Sequence, residues 1–233
     1  MQTEFDIRIQ KTLRSGKRTF DLNVDIQSTS KRLVIAGPSG AGKSMTLKAV
    51  AGLLRPDQGH IKFRGLAMFD KAAGINDTPQ ARRMAYVFQD YALFPHLNVR
   101  QNIAFGLARG WLNPRPDVEA PAVTRWLQAF QLEQLAHQFP DQLSGGQRQR
   151  TALARALVGA PRALLLDEPF AALDTGLREN LRQQLRNLLQ ELDLPMILIT
   201  HDDNDVVELG GEVVHLNEGR LAEPFILNSA HKL

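Results

Sequence analysis

Alternating apolar and polar positions near the start of this sequence predict two half-buried strands. The alternation is seen at two sets of apolar residues, Phe5, Ile7 and Ile9, and then Leu22, Val24 and Ile26. Because successive side chains of a strand point to opposite faces, this pattern is typical of antiparallel strands with one covered face. Ser15-Gly16 lies between the two sets and predicts a turn.

Four later apolar runs are continuous rather than alternating. They comprise residues 33–36, 84–88, 163–166 and 196–199. Short continuous runs are typical of parallel strands that are covered on both faces. The runs end in Gly, Gln, Asp or Thr-His, so we expect polar residues at the carboxyl ends of these strands, where open α/β sheets bind ligands.

Helical signals fill the region between the second and third runs. Residues 113–121 contain three prolines and predict a loop. After this loop, Val123, Trp126, Leu127 and Phe130 recur at helical spacing. We therefore expect a helical subdomain inserted into an α/β core.

Near the end of the chain, residues 210–223 predict a hairpin around Asn217-Glu218-Gly219.

A leucine stripe later in the chain predicts a long amphipathic helix. Its members are Leu177, Leu181, Leu185, Leu188 and Leu192. The stripe has two interpretations, packing against the sheet or pairing with a partner helix. Pro195 ends the pattern before heptads accumulate, which favours packing against the sheet.

Composition narrows the classes of protein that fit. Hydrophobic residues make up 43% of the sequence, enough for a sizeable core, and the net charge of +3 is weak evidence for a nucleic-acid partner. The absence of cysteine excludes disulfides, thiolate metal sites and cysteine nucleophiles. The first residues, MQTEFDIRIQ, lack the apolar core of a signal peptide, and no apolar run approaches the roughly 18 residues of a membrane helix. We expect a soluble chain that reaches a membrane only through a partner.

A glycine-rich segment directly after the first continuous run predicts a phosphate-binding loop. Its residues are Gly37, Pro38, Ser39, Gly40, Ala41, Gly42, Lys43 and Ser44, which fit the pattern G-x-x-x-x-G-K-[ST] before a helix-compatible stretch. Glycines allow backbone N–H groups to approach phosphate oxygens, while the lysine reaches the β- and γ-phosphates and the serine hydroxyl binds Mg²⁺. The alternative is a strand-to-helix turn with a chance Lys-Ser pair, and the strand and helix context disfavours it.

Two carboxylates follow the third continuous run. Asp167 is suited to bind Mg²⁺, and Glu168 to orient and polarise an attacking water. An acidic strand end facing solvent is the alternative for either residue. Together with the phosphate-binding loop, the pair favours hydrolysis of a nucleoside triphosphate.

The segment Leu143-Ser144-Gly145-Gly146-Gln147, followed by RQRTALARAL, resembles the signature motif of the ABC (ATP-binding cassette) ATPases. Ser144 caps a helix in this pattern, and the glycines leave the first N–H groups open to an anion. In that family the anion is the γ-phosphate of ATP held by a second copy. The resemblance covers residues 33–223 and implies an α/β fold: a P-loop NTPase core with a mostly parallel sheet, an N-terminal antiparallel β-subdomain and an inserted helical subdomain.

Other motifs of the family match in order. Gln89 resembles the glutamine that joins the Mg²⁺ site to the helical subdomain, Asp174 in Ala172-Leu173-Asp174 resembles the dimer-interface loop, and His201 resembles the switch histidine at the γ-phosphate. The implied catalytic residues are Lys43, Gln89, Glu168 and His201, and the implied metal ligands are Ser44, Gln89 and Asp167. The implied ATP-binding residues are Gly37, Pro38, Ser39, Gly40, Ala41, Gly42, Lys43, Ser44, Met45, Gln89, Ser144, Gly145, Gly146, Gln147 and Asp174.

One position departs from the family pattern. Members of the family usually stack an aromatic residue of the N-terminal hairpin on adenine, whereas this chain has Thr12-Leu13-Arg14 there, and Phe20 is interpreted as the start of the next strand. We expect an apolar contact from Leu13 or cation–π stacking by Arg14 instead, with weaker discrimination between bases.

The segment from Asp90 to His96 resembles the importer branch that takes up molybdate, sulfate, iron and polyamines. It implies a groove for a membrane permease, with Phe94 and Leu97 either as anchors or as subdomain core. Residues 69–96 are most similar to molybdate-type motors. Many members of this branch carry a further C-terminal β-domain, which a chain ending at Leu233 is expected to lack or to have lost.

The resemblance implies one ABC ATPase domain over residues 1–233. Its α/β core and antiparallel β-subdomain would span residues 1–89 and 158–233, and its helical subdomain residues 90–157. The chain would form a head-to-tail homodimer on two ATP molecules with Mg²⁺, at the cytoplasmic face of the bacterial inner membrane. Its other partners would be a permease and, indirectly, a substrate-binding protein, with no nucleic acid. The rival hypotheses are a non-transport ABC ATPase acting on ribosomes or nucleic acid, and a nucleotide sensor that does not hydrolyse ATP.

Overall fold

Strands and helices alternate along the part of the chain that the computed structural model describes, residues 3–16, 18–107, 112–171, 173 and 175–222. The strands in this part are β1 (Phe5–Ser15), β2 (Arg18–Ser28), β3 (Arg32–Ala36), β4 (Gln58–Phe63), β5 (Leu66–Asp70), β6 (Ile75–Asn76), β7 (Met84–Val87), β8 (Ala163–Asp167), β9 (Met196–Ile199), β10 (Glu212–Asn217) and β11 (Arg220–Leu221). The α-helices are α1 (Lys43–Ala51), α2 (Pro79–Arg82), α3 (Val99–Phe105), α4 (Pro121–Ala129), α5 (Gly145–Leu157), α6 (Thr175–Glu191) and α7 (Asp203–Leu209). Across these ranges, no helix combines the length and the hydrophobicity needed to span a bilayer.

The strands form one mixed sheet in the order β6-β5-β4-β1-β2-β11-β10-β3-β9-β8-β7. Its parallel part runs from β10 to β7, and all four continuous apolar runs lie there. Its antiparallel part consists of β1, β2, β4, β5 and β6. The predicted α/β fold class is confirmed. The antiparallel part is larger than predicted, because β4, β5 and β6 were not recognised in the sequence.

The continuous runs exist because the parallel strands separate two hydrophobic cores. On β8, Leu164 and Leu166 belong to a core shared with α3, α4, α5 and α6. Ala163 and Leu165 belong to the opposite core, shared with α1 and the antiparallel strands. Every position of β8 and β9 is buried, so no polar alternation remains there. The edge strand β7 is half-buried at three of its four positions. The strand ends are thereby fixed from both faces of the sheet.

The leucine stripe of α6 packs against the sheet, as predicted. Leu181, Leu185 and Leu189 are buried in the same core as Leu164 and Leu166. Leu177, Leu188 and Leu192 are partly buried around them. The helix ends at Glu191, four residues before Pro195. The buried row therefore runs through Leu189 rather than Leu188.

The described residues between β7 and β8 form the helices α3, α4 and α5 and two 3-10 helices, Glu133–Leu135 and Pro140–Gln142. Asn98 caps α3, because its side chain accepts a hydrogen bond from Gln101 N–H while Gln101 Oε1 accepts one from Asn98 N–H. Val123, Trp126, Leu127 and Phe130 are buried against α5 and the sheet. The helical spacing of these four residues correctly indicated α4.

A buried arginine ties α1 to the segment that leads into β7. Arg82 is 1% exposed, and its guanidinium donates hydrogen bonds to Ala49 O at 2.7 Å and Val50 O at 2.9 Å. These carbonyls end α1, where a helix lacks intrahelical donors and favours positive charge. Burial lowers the pKa of Arg82.

Candidate functional site

The predicted phosphate-binding loop connects β3 to the first turn of α1. Gly37, Gly40 and Gly42 have φ values of +140°, +80° and +99°, a region that residues with a side chain rarely adopt. A Cβ on Gly37 would lie 2.1 Å from Leu216 O of β10. The glycines thus serve both the turn of the loop and its close approach to the sheet.

Lys43 and Ser44, the last residues of the loop, begin α1. The Lys43 side chain is buried, and its Nζ donates hydrogen bonds to Gly37 O at 2.8 Å and Pro38 O at 2.9 Å. The ammonium group therefore lies over the loop itself. Ser44 is half-buried, as is Met45, which packs against the core on the α1 side of the sheet.

Asp167, at the end of β8, accepts hydrogen bonds from two hydroxyl groups. Its Oδ1 accepts a hydrogen bond from Ser44 Oγ at 2.8 Å, and its Oδ2 accepts one from Tyr86 Oη at 2.7 Å. Asp167 is 6% exposed. Burial and the contact with Asp167 raise the pKa of Tyr86, which stays a hydrogen-bond donor at neutral pH. Sequence reasoning did not identify Tyr86, since a tyrosine inside an apolar run carries no distinguishing signal.

Glu168 and His201 meet across the ends of β8 and β9. Glu168 Oε2 lies 3.6 Å from His201 Nδ1. Glu168 has a left-handed φ of +48°, and its N–H donates to Ile199 O at 3.0 Å. Non-glycine residues with this conformation concentrate at functional sites. Glu168 and His201, two of the four residues that the resemblance assigned to catalysis, are thus neighbours.

A charged network that the sequence did not reveal supports the loop after His201. Asp202 Oδ2 accepts hydrogen bonds from Arg178 at 3.0 Å and from Arg182 at 2.6 Å, both on α6. Arg182 also pairs with buried Asp205 at 2.5 Å, and Thr200 donates to the same carboxylate. Burial alone would raise the pKa of Asp202, but the Asn204 N–H and the two guanidinium groups outweigh burial and lower it.

The three predicted metal ligands line one cavity of about 630 Å³. Ser44, Gln89 and Asp167 contribute to its wall, together with Lys48, Phe88, Asp90 and Ala171. Hydroxyl, amide and carboxylate oxygens are the hard ligands that Mg²⁺ prefers. The residues present therefore fit such an ion.

A second cavity, of about 680 Å³, adjoins the other side of the phosphate-binding loop. Residues 38–41 of the loop form one wall, and Phe20, Asn217, Glu218 and Arg220 contribute to the rest. Phe20 is half-buried within β2, and its ring lies within 3.4 Å of a Cβ built on Gly42. Among the described residues that line this cavity, neither Leu13 nor Arg14 appears. The structure therefore places Phe20, and not the two residues expected from the sequence, beside the loop.

The signature segment lies at the amino end of α5. Ser144 is exposed and caps the helix, with Ser144 Oγ accepting from Gln147 N–H at 3.3 Å and Gln147 Oε1 accepting from Ser144 N–H at 2.8 Å. Gly146 is buried, and a Cβ there would lie 2.3 Å from the Leu177 side chain. Within the described chain, residues 144–147 line neither of the two cavities at the phosphate-binding loop. Asp174 and Ala172 lie outside the described residues.

Arg155 of α5 holds the segment that follows Gln89. Its guanidinium donates to Tyr91 O at 2.7 Å and Ala92 O at 2.8 Å, and it lies 5.4 Å from the centre of the Phe94 ring. Burial lowers the pKa of Arg155 to about 10. Tyr91 and Ala92 have left-handed φ values of +64° and +42°. Leu97 is 2% exposed and belongs to the interior, whereas Phe94 is half-buried.

Comparison with known sequences finds one family and a set of similar proteins. The family described as "ABC transporter" matches residues 20–171. The sulfate/thiosulfate import ATP-binding protein CysA of Nephroselmis olivacea is 44% identical over 216 residues, which cover 92% of this chain and 60% of that protein. The protein of the same name from Pseudomonas aeruginosa is 42% identical over 213 residues, covering 91% and 63%. The chain thus spans about three fifths of the length of these relatives.

Solved structures with the same fold are ATP-binding cassettes. A dimeric cassette in a post-hydrolysis state, bound to ADP and Pi, superposes with a TM-score of 0.75 at 28% identity, over 96% of this chain and 97% of that one. A second structure of the same cassette, described as dimeric and from a bacterial ABC transporter, gives a TM-score of 0.76 at 28% identity, over 94% and 97%. Nearly the whole chain shares this fold.

Proposed function

This chain belongs to the ABC transporter family, and from that premise we propose that it is the ATP-binding and ATP-hydrolysing subunit of an importer. The observation that carries the proposal is the hydrogen bond of 2.8 Å between Ser44 and Asp167. It joins the phosphate-binding loop to the strand end that bears Glu168, so that phosphate-binding and water-orienting groups share one edge of the sheet.

In this function, the phosphate-binding loop holds the triphosphate. Backbone N–H groups of residue 37 and residues 39–44, together with the positive end of α1, bind the phosphate oxygens, and Lys43 adds a positive charge at the β- and γ-phosphates. Ser44, Asp167 and Gln89 are the residues that would hold Mg²⁺, and the ion would offset the negative charge of the phosphate groups. The fit of these oxygen donors around one cavity supports the assignment.

Glu168 acts as the base that orients and polarises the attacking water, and His201 contacts the γ-phosphate. Their separation of 3.6 Å leaves both groups within reach of a water next to the terminal phosphate. Phosphoryl transfer depends mainly on positioning and charge stabilisation, so the rigid attachment of both residues to buried strands supports these roles. The ion pairs of Asp202 hold the backbone next to His201.

A second copy completes the site in this proposal. Ser144, Gly145, Gly146 and Gln147 of one copy bind the γ-phosphate held by the loop of the other, and the resemblance to the family assigns Asp174, which lies outside the described residues, to the interface. Both solved structures described above, which are of one cassette, are dimers. The exposure of Ser144 at the amino end of α5 further supports a head-to-tail homodimer.

We propose a permease as the membrane partner and the cytoplasmic face of the inner membrane as the location, with a substrate-binding protein acting indirectly. The relatives are named for sulfate/thiosulfate import. These names do not support the molybdate specificity expected from the sequence and favour a sulfate-class oxyanion as cargo. The half-buried Phe94 ring, held by Arg155, is the anchor that we assign to the permease groove.

Phosphate release from ATP by the purified chain tests the hydrolytic part of the proposal. Lys43→Ala should weaken ATP binding about 10–100-fold, since a charged donor to phosphate contributes about 1.5–3 kcal/mol. Lys31→Ala is the matched control, because Lys31 pairs with Asp193 on the exposed surface. Phosphate release that does not depend on Lys43 would contradict the assignment.

Co-purification tests the importer part of the proposal. Co-purification with an integral membrane protein supports the importer, while co-purification with ribosomes or nucleic acid would favour a non-transport ABC ATPase.

A further inference from the structure

The two oxygens of the Asp167 carboxylate are engaged by two different elements. Ser44 Oγ donates to Oδ1 from the start of α1, and Tyr86 Oη donates to Oδ2 from β7. Only the oxygen bonded to Ser44 is tied to the phosphate-binding loop. The Tyr86 hydroxyl donates a hydrogen bond to the other oxygen, Oδ2, at 2.7 Å and thereby fixes the rotation of the carboxylate.

The Tyr86 ring is itself held in place. It is half-buried against the core that contains α1, and its centroid lies 4.4 Å from that of Phe88. Tyr86 is aligned with Leu165 in the parallel β7–β8 pair, two residues before Asp167. A side chain packed in this way loses little further freedom when it donates a hydrogen bond.

Tyr86 also links two of the assigned metal ligands. It lies three residues before Gln89, which lines the same cavity as Ser44 and Asp167. A hydrogen bond from this strand to Asp167 therefore fixes the position of the strand that leads to Gln89 relative to the end of β8. Removing the hydroxyl would free the carboxylate to rotate without emptying the cavity of any ligand.

We propose that Tyr86 is a positioning residue for the metal-binding carboxylate, a role that rests on the proposed function. It acts through Asp167, and it is not among the described residues that line the cavity of the assigned metal ligands. Partners of this kind orient metal ligands, and their loss typically weakens metal binding by 10–100-fold.

The test compares Tyr86→Phe with Tyr91→Phe, the two tyrosines of the chain. Tyr91 is equally suited to a conservative change, and its buried hydroxyl has no hydrogen-bond partner among the described residues. Both variants are made in the full chain carrying Glu168→Gln, so that ATP is not consumed. The affinity for ATP is measured by calorimetry with Mg²⁺ and again with EDTA.

We expect Tyr86→Phe to reduce the gain in ATP affinity on adding Mg²⁺ by about tenfold, with affinity in EDTA unchanged. Tyr91→Phe should keep the full gain. The inference is overturned if the two variants behave alike, or if Tyr86→Phe weakens binding equally with and without Mg²⁺. A parent chain that binds ATP no better with Mg²⁺ than without it would refute the proposed function as well.

Discussion

His201 Nδ1 lies 3.6 Å from Glu168 Oε2, across the ends of two adjacent parallel strands. The two side chains differ in exposure, with 64% of His201 but only 22% of Glu168 accessible. Glu168 is thus the sheltered member of the pair, suited to act on a water that is withdrawn from bulk solvent. His201 is the accessible member, suited to meet a ligand that arrives from outside.

Glu168→Gln should bind ATP and lose nearly all turnover. The amide keeps the size of the side chain but cannot accept a proton, and general-base catalysis typically contributes 10²–10⁴-fold. Phosphate release should therefore fall by about 10² or more, and a closed ATP-bound dimer should accumulate in size-exclusion chromatography. Unchanged hydrolysis would remove Glu168 from the mechanism.

Gly37→Ala should destabilise the fold as well as the site. The new Cβ would lie 2.1 Å from Leu216 O, a backbone atom that cannot move without displacing β10. We expect a loss of about 2–4 kcal/mol in the free energy of unfolding, measured by urea denaturation.

Gly74→Ala is the control for Gly37→Ala. It introduces a side chain at a positive φ without a steric clash, so it shows the cost of the backbone conformation alone. Gly74 has a φ of +71°, and nothing lies within 4 Å of its added Cβ. This control should cost about 1–2 kcal/mol, the price of a left-handed alanine. Equal losses for the two variants would show that contact with β10 is unimportant.

Asp202→Asn should reduce the amount by which the free energy of unfolding falls when the solution is acidified. Because the pKa of Asp202 is lower in the folded chain than in the unfolded one, its contribution is present at neutral pH and is lost as the pH falls through the folded pKa. The unfolded value is about 3.9, so the loss begins below about pH 5. Urea unfolding at pH 6 and pH 3 should show a smaller difference in the variant than in the parent chain. A larger difference in the variant would reverse the sign of the argument.

The strand ends that carry the site were predictable from sequence because two local signals coincide there. A continuous apolar run identifies a strand covered on both faces, and the polar residues that follow it, such as Asp167 or His201, are then placed at the ligand-binding edge. Such an inference needs no knowledge of how distant segments pair. The roles of these residues stay predictions until the variants are measured.

Contacts that depend on the register between distant strands could not be predicted from the sequence. Tyr86 and Asp167 are 81 positions apart, and only the pairing of β7 with β8 brings the hydroxyl to the carboxylate. The same holds for Phe20, whose place beside the phosphate-binding loop depends on the packing of β2 against α1.

The hairpin of β4 and β5 could have been predicted from the sequence, but it was not recognised. Ile61 and Phe63 alternate with polar residues before Arg64-Gly65, and both turn residues have positive φ values, +50° and +76°. Turns of that kind match the twist of antiparallel strands. A non-glycine at the first turn position concealed the pattern.

The burial of β3, β8 and β9 on both faces has a mechanical consequence. With a packed core above and another below, these strands cannot slide independently, so the spacing between Gly37, Asp167 and His201 behaves as a fixed frame. We therefore expect any movement that accompanies the proposed activity to lie outside this frame. The candidates are Tyr91 and Ala92, which have positive φ values, and α5, whose Arg155 donates to the carbonyl groups of both residues.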